Sequence, residues 1–374
     1  MLPALKADRL SLADVFPSCL AALSGQPNAL GLPAVATAVV LLVDGLGAAA
    51  LKARSGHART LAGAAGTIES GFPTTTASSL ATLTTGTRPG QHGMVGYSVL
   101  DAANDRLVVQ LSELGTLDDP VAWQRSRTVF EAARDAGYRA TVIAPHRYED
   151  SAFTHAVLRG ADFLEAATIA GRLEAAARLA TSAGSPQLVY VYVPELDKAG
   201  HAYGWESDQW THALEAVDAA VRAFLTAAPA AGLIVTADHG VIDVPPHNHV
   251  LYDSVPELMT GVRHVGGEPR CLQLYFDPAA DASTRAATIA AWHDSEDARS
   301  WVSTRDEAIE AGWFGLVSPD VRDRIGDLVV AARKGIAYYS LGSSARSRAM
   351  VGQHGSWSPA ELQVPLLRFG AFGV

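Results

Sequence analysis

The chain has 374 residues, of which 48% are apolar and 18% charged, and a formal net charge of −10. This composition excludes a disordered chain, and an acidic balance without a long basic run excludes a surface built for nucleic-acid backbones. Two distant cysteines, Cys19 and Cys271, give no disulfide framework. With no secretory apolar core and no apolar span of membrane length, the expectation is a cytoplasmic protein without a membrane span.

Residues 1–35 read as a lead-in with one short helix near Leu12 to Leu23. Next comes TAVVLLVDGLG (37–47), an apolar run of strand length ending in Asp44. Such runs are strands buried on both faces of a parallel sheet, where functional groups gather beyond the carboxyl ends. Asp44 is so placed, although a turn aspartate before Gly45 has the same local pattern.

Gly71 to Gly93 reads GFPTTTASSLATLTTGTRPGQHG. The spacing predicts a helix over Ala77 to Thr85, with Gly86 as its stop and Thr76 at or beside its N-terminus. Unpaired backbone N–H groups and the helix dipole favour negative charge there. A hydroxyl in that place can attack phosphorus if a metal ion takes up the charge left by its proton. The bland alternative is that these hydroxyls merely cap the helix.

Residues 98–125 read as loop-rich. A helix over Thr128 to Gly137, a strand over Arg139 to Ala144, a helix over Ile169 to Ala183 and a strand over Gln187 to Val193 follow. This alternation predicts a doubly wound sheet. In PELDKAGHAYG (194–204), Asp197 and His201 stand four apart. On a helical turn both would share one face and could share a metal, and a surface Asp–His pair is the alternative. Asp208 to Ala228 reads as a long helix whose buried stripe is Trp210, Leu214, Val217, Val221, Phe224 and Leu225. The strand Gly232 to Ala237 then ends in Asp238-His239-Gly240.

The pattern changes over 251–345, with a strand over Cys271 to Phe276 and a helix over about Ala282 to Trp292. His354 lies in a Gly-bounded loop, and Val364 to Phe372 reads as a closing strand. The expected architecture is α/β, a doubly wound, mostly parallel sheet. Residues 1–250 and 346–374 would form the core, and 251–345 a small inserted α+β lobe.

Together Asp44, Asp197, His201, Asp238, His239 and His354 supply three carboxylates and three imidazoles, and Thr76 a hydroxyl. Shared between two metals, they give each about three protein ligands and room for a substrate oxygen.

The ordered motifs VVLLVDGLG, FPTTTASSLATLTTGTRPGQHGMVGY, LDKAGHAYG, TADHG and GQHGS resemble the alkaline phosphatase superfamily. More narrowly, they are similar to the type I phosphodiesterase and nucleotide pyrophosphatase family. The resemblance implies an alkaline phosphatase-like fold and Thr76 as nucleophile. It implies that Asp44, Thr76, Asp238 and His239 hold one divalent metal, and that Asp197, His201 and His354 hold a second. Two zinc ions are the implied cofactors, with manganese as the alternative. The implied reaction is hydrolysis of phosphodiester or pyrophosphate bonds through a covalent phosphothreonine. The implied partner is a small phosphorylated substrate, nucleotide-like if the resemblance extends that far, and not a nucleic-acid polymer.

One departure stands out. Close nucleotide pyrophosphatases carry an asparagine a few residues after the HG of this stretch, where Gly96 and Tyr97 stand here. Tyr97 is therefore a candidate phosphoryl contact, and Lys198, beside Asp197, is another. Arg263 and Arg270 are further cations that could face the site, while His247 and His249 have no matched role. A phosphomonoesterase or phosphonate hydrolase, a phosphoryl-transfer mutase of the same superfamily and a silent phospho-ligand binder are the competing functions. A sulfatase is disfavoured, because Thr76-Ala-Ser-Ser-Leu lacks the pattern of its modified nucleophile.

Overall fold

A computed structural model describes residues 2–4, 9–182 and 184–373. Its central sheet has seven strands. They are β1 (Thr37–Val43), β2 (Thr67–Glu69), β3 (Arg139–Ala144), β4 (Asp162–Glu165), β5 (Gln187–Val193), β6 (Gly232–Thr236) and β7 (Gln363–Gly370). Their spatial order is β2-β7-β6-β1-β5-β3-β4. The five strands from β6 to β4 are parallel, and the closing strand β7 runs antiparallel to both β6 and β2.

Every residue of β1 and β6 is buried, so both faces of the sheet are covered. This is why the sequence shows continuous apolar runs there and no alternation. Parallel pairing also aligns strand ends. Val43 pairs with Val193, and Leu42 with Thr236. The segments leaving β6, β1 and β5 therefore emerge side by side at one edge of the sheet.

Three helices matter for that edge: α1 (Thr76–Thr85), α2 (Glu195–Tyr203) and α3 (Asp208–Ala227). Helix α1 ends at Gly86, which adopts the left-handed conformation at φ 67°. Helix α3 buries Trp210, Leu214, Val217, Val221 and Phe224, and Leu225 is partly buried against the same core.

A four-stranded antiparallel sheet is formed by Val262–Glu268, Cys271–Phe276, Ser300–Thr304 and Leu328–Ala332. Leu272, Leu274, Trp292, Val302, Leu328 and Val330 form its own apolar cluster. Several expectations need correction in detail. The helix expected to stop at Trp292 runs to Glu296, and the segment 98–125 contains a hairpin, Ser98–Asp101 with Arg106–Val109. The helix from Ile169 ends at Thr181, and its expected last residue, Ala183, lies outside the described residues. Cys19 and Cys271 are both free and buried.

Candidate active site

Asp44 directly follows β1, and Asp238 and His239 follow β6 by two and three residues. Asp197 lies in the first turn of α2, just after β5. The order β6-β1-β5 makes these three segments neighbours. Gly45 permits the closest approach: at φ +76°, a Cβ there would lie 3.0 Å from the Asp197 backbone.

Thr76 is the first residue of α1, after the N-cap Thr75, whose side chain makes no capping bond. Its Oγ1 lies 3.2 Å from His239 Nε2. That nitrogen is 3.5 Å from Asp44 Oδ1 and 3.4 Å from Asp238 Oδ2. On the other side of Asp197, its Oδ1 is 3.3 Å from His201 Nε2 and 4.0 Å from His354 Nε2. The His239 and His354 rings stack with centroids 3.6 Å apart. Ligand-type atoms of Asp197, His201 and His354 lie within 4.8 Å of one another, as do those of Asp44, Asp197 and His239. Asp197 thus belongs to both groups, whereas the sequence reading placed it in one.

The chain prepares the three imidazoles in the same way. His201 Nδ1 faces the Gly352 carbonyl at 2.8 Å, His354 Nδ1 the Thr74 carbonyl at 2.8 Å, and His239 Nδ1 the Gly240 carbonyl at 3.3 Å. A carbonyl only accepts, so each Nδ1 carries a proton and each Nε2 is left facing the cluster as the ligating atom. Burial and the neighbouring His239 and His201 hold the His354 pKa well below the usual imidazole range, which keeps it neutral.

Each of the three carboxylates has one oxygen without a donor. Asp44 Oδ1, Asp197 Oδ1 and Asp238 Oδ2 are buried with no hydrogen-bond partner among the described residues. Burial and the nearby charges of Asp238 and Asp197 push the Asp44 carboxyl well above its usual range. Orphaned buried carboxylate oxygens opposite imidazole Nε2 atoms are what a divalent cation satisfies, so the residues fit a metal centre.

Two clefts flank Thr76 and share Thr76, Leu111 and Asp197. The first, of about 330 Å³, is walled by Leu80, Tyr148, Phe153, Leu158, Phe163 and Tyr192, with Arg147 and Lys198 as its cations. The Lys198 ammonium lies 5.8 Å from the Tyr148 ring centre, and burial and Arg147 lower its pKa. The second cleft, of about 320 Å³, is lined by Tyr97, Glu268, Met350 and Gln353 among others, with no Arg or Lys among the described residues that line it.

Arg270 does not face either cleft. It is fully buried and paired with Glu361 at 2.7 Å. Arg263 pairs instead with Asp105, and His249 packs on Tyr339. Sequence reasoning missed two site residues. Tyr192 donates its hydroxyl to Asp44 Oδ2, and its signal was one of two tyrosines in a largely buried strand, whose O–H needs a partner. Glu268 reaches the site from the second sheet and carries no local signal at all.

No helix among the described residues is long and apolar enough to cross a membrane. Murine ectonucleotide pyrophosphatase/phosphodiesterase 5 is similar in fold, with a TM-score of 0.68 and 16% identity over 89% of this chain and 88% of that one. Phosphonoacetate hydrolase from Sinorhizobium meliloti 1021, in complex with phosphonoacetate, gives a TM-score of 0.70 and 17% identity over 90% and 91%. No curated protein gave a significant match. The family model of the type I phosphodiesterase/nucleotide pyrophosphatases matches residues 38–357, which contain every site residue described above. The chain therefore belongs to the type I phosphodiesterase/nucleotide pyrophosphatase family, whose members are metal-dependent phosphoryl hydrolases.

Proposed function

We propose that this protein hydrolyses phosphodiester or pyrophosphate bonds, with Thr76 as the nucleophile. The observation that carries the reading is the position of Thr76 Oγ1. It sits at a helix N-terminus, 3.2 Å from His239 Nε2, between two donor clusters that share Asp197. Asp44, Asp238, His239 and Thr76 would hold one divalent cation, and Asp197, His201 and His354 a second. The mixed imidazole and carboxylate set suits zinc, with manganese as the alternative. Such cations supply the positive charge that lowers the pKa of a hydroxyl and neutralises phosphoryl oxygens.

The chain's own residues do the rest. Tyr192 fixes Asp44 through its hydroxyl, and the Gly352 and Thr74 carbonyls fix the rings of His201 and His354. The α1 N-terminus presents unpaired N–H groups to the phosphoryl oxygens. Thr76 Oγ1 gives up its proton and forms a bond to phosphorus as the bond to the leaving oxygen breaks. The leaving oxygen takes up a proton and departs as an alcohol or phosphate, leaving a phosphothreonine ester that keeps the other substituent. Water then attacks the same phosphorus, the Thr76 Oγ1–phosphorus bond breaks, and Thr76 regains a proton as the phosphomonoester leaves.

Two clefts beside one nucleophile suit a phosphorus atom with two substituents. The aromatic walls of the first suit a planar group such as a nucleobase. An inactive threonine-to-alanine variant of the murine neighbour was solved in complex with AMP, which favours the nucleotide reading. Arg147 and Lys198 favour a second reading, since a carboxylate on a small phosphonate could pair with them, and one neighbour is a phosphonoacetate hydrolase. We also read 251–345 as an inserted lobe, supported by its separate sheet and apolar cluster.

Turnover of bis-p-nitrophenyl phosphate, p-nitrophenyl phosphate and phosphonoacetate by the zinc- or manganese-loaded protein tests this. The diester should be hydrolysed fastest. Preference for the monoester or for phosphonoacetate would contradict the reading.

A further inference from the structure

The second cleft holds a carboxyl that the mechanism above does not use. Glu268 ends the strand Val262–Glu268 and lines the cleft with Thr75, Tyr97 and His354. Its side chain is only 6% exposed, and its Oε1 has no hydrogen-bond partner among the described residues. Oε2 lies 3.5 Å from His354 Nδ1, but that proton is already given to the Thr74 carbonyl. Arg270, two residues on, favours the charged form at a distance but makes no hydrogen bond to it, because Glu361 takes its guanidinium at 2.8 and 2.7 Å.

The fold makes room for this carboxyl. A Cβ at Gly355 would lie 2.7 Å from Glu268 Cγ and Cδ, and the φ of +131° at Gly355 disfavours any side chain there. The Thr75 hydroxyl is near enough to favour the charged form, but a buried carboxyl oxygen left without a hydrogen bond is costly unless something bonds to it when the cleft fills.

We propose that Glu268 is a specificity-determining residue that hydrogen-bonds a hydroxyl on the phosphodiester substituent occupying the second cleft. The assignment deepens the diester reading and rests on it. A hydroxyl suits because it both donates and accepts, so it pairs with a carboxyl in either protonation state. Apart from the cation that Asp197, His201 and His354 would hold, the described lining residues include no Arg or Lys to pair with a further anionic group on this substituent. The substrate class is a diester with an aromatic or apolar arm in the first cleft and a small hydroxylated alcohol in the second.

Two matched esters test it: p-nitrophenyl hydroxypropyl phosphate with a terminal hydroxyl, and p-nitrophenyl propyl phosphate. In the metal-loaded protein, kcat/KM for the hydroxylated ester should be higher by about tenfold or more. Glu268→Ala should bring the ratio to about one, with the loss falling on the hydroxylated ester. Glu268→Gln, which keeps the size and one acceptor, should give a ratio between the two and serves if the alanine variant does not fold. Equal kcat/KM values in the native protein would overturn the assignment alone. So would a variant that keeps the native ratio, or one that loses both esters equally, as a role confined to holding His354 requires. Turnover of neither ester by the native protein would overturn the diester reading and this assignment with it.

Discussion

The carbonyl of Thr74 accepts the Nδ1 proton of His354 at 2.8 Å. Two residues before Thr76, the chain thus holds a histidine that comes 280 residues later. The same threonine's hydroxyl donates to the Ser356 carbonyl at 2.8 Å and accepts the Gly355 N–H at 3.0 Å. Nearby, Phe72 stacks on Trp357 with ring centres 4.8 Å apart. The loop before α1 and the loop carrying His354 are therefore one packed unit.

Thr74→Val keeps the shape and removes the hydroxyl. Thr74 is fully buried, so the Gly355 N–H loses its partner, at a cost of about 1–3 kcal/mol. Loosening this support should also weaken divalent-ion binding at the Asp197–His201–His354 cluster by about tenfold or more. Urea denaturation and calorimetric ion titration check the two effects. Unchanged stability would show that the loop pairing is dispensable.

Divalent ions should stabilise the protein, because they would satisfy the orphaned oxygens of Asp44, Asp197 and Asp238. At a hundred times Kd the gain is about 3 kcal/mol, or roughly 3–4 °C in Tm for a chain of this length. Thermal melts of chelator-treated protein with and without zinc measure it. No shift would argue against a metal centre at these residues.

His92 gives a pH signature away from the site. Its Nε2 meets Thr82 Oγ1 at 3.0 Å and its Nδ1 accepts the Met94 N–H at 3.1 Å. Burial and the charge of Arg324 push its pKa down to about 3. Between 6.5 and about 3 the unfolded chain holds a proton there that the folded chain does not. Stability should therefore be full above pH 6.5 and fall as pH drops through that window, by on the order of 1 kcal/mol per unit. His92→Asn should be less stable at pH 8 yet show a flatter acid limb. Denaturant midpoints from pH 8 to pH 5 check this, and parallel limbs would contradict it.

Strands β1, β5 and β6 were legible because each is an apolar run ended by a polar turn. Their order in the sheet was not, since adjacency depends on crossovers that leave no periodic trace. Asp44, Asp238 and His239 could be placed from their positions after strands, and Asp197 with His201 from helical spacing. That Asp197 faces both clusters depends on how near Gly45 lets two loops come, which spacing does not encode. The two arginines misread as site candidates show the same limit. Only packing reveals that Arg270 is taken by Glu361, while Glu268, two residues earlier, lines the cleft.

The most direct test of the central claim is Thr76→Ala, read by diester turnover and by bound metal in the same preparation. Loss of turnover by at least about a thousandfold, with metal content unchanged, is the predicted result. Turnover within a few-fold of the native protein at full metal occupancy would show that the Thr76 hydroxyl does not attack phosphorus.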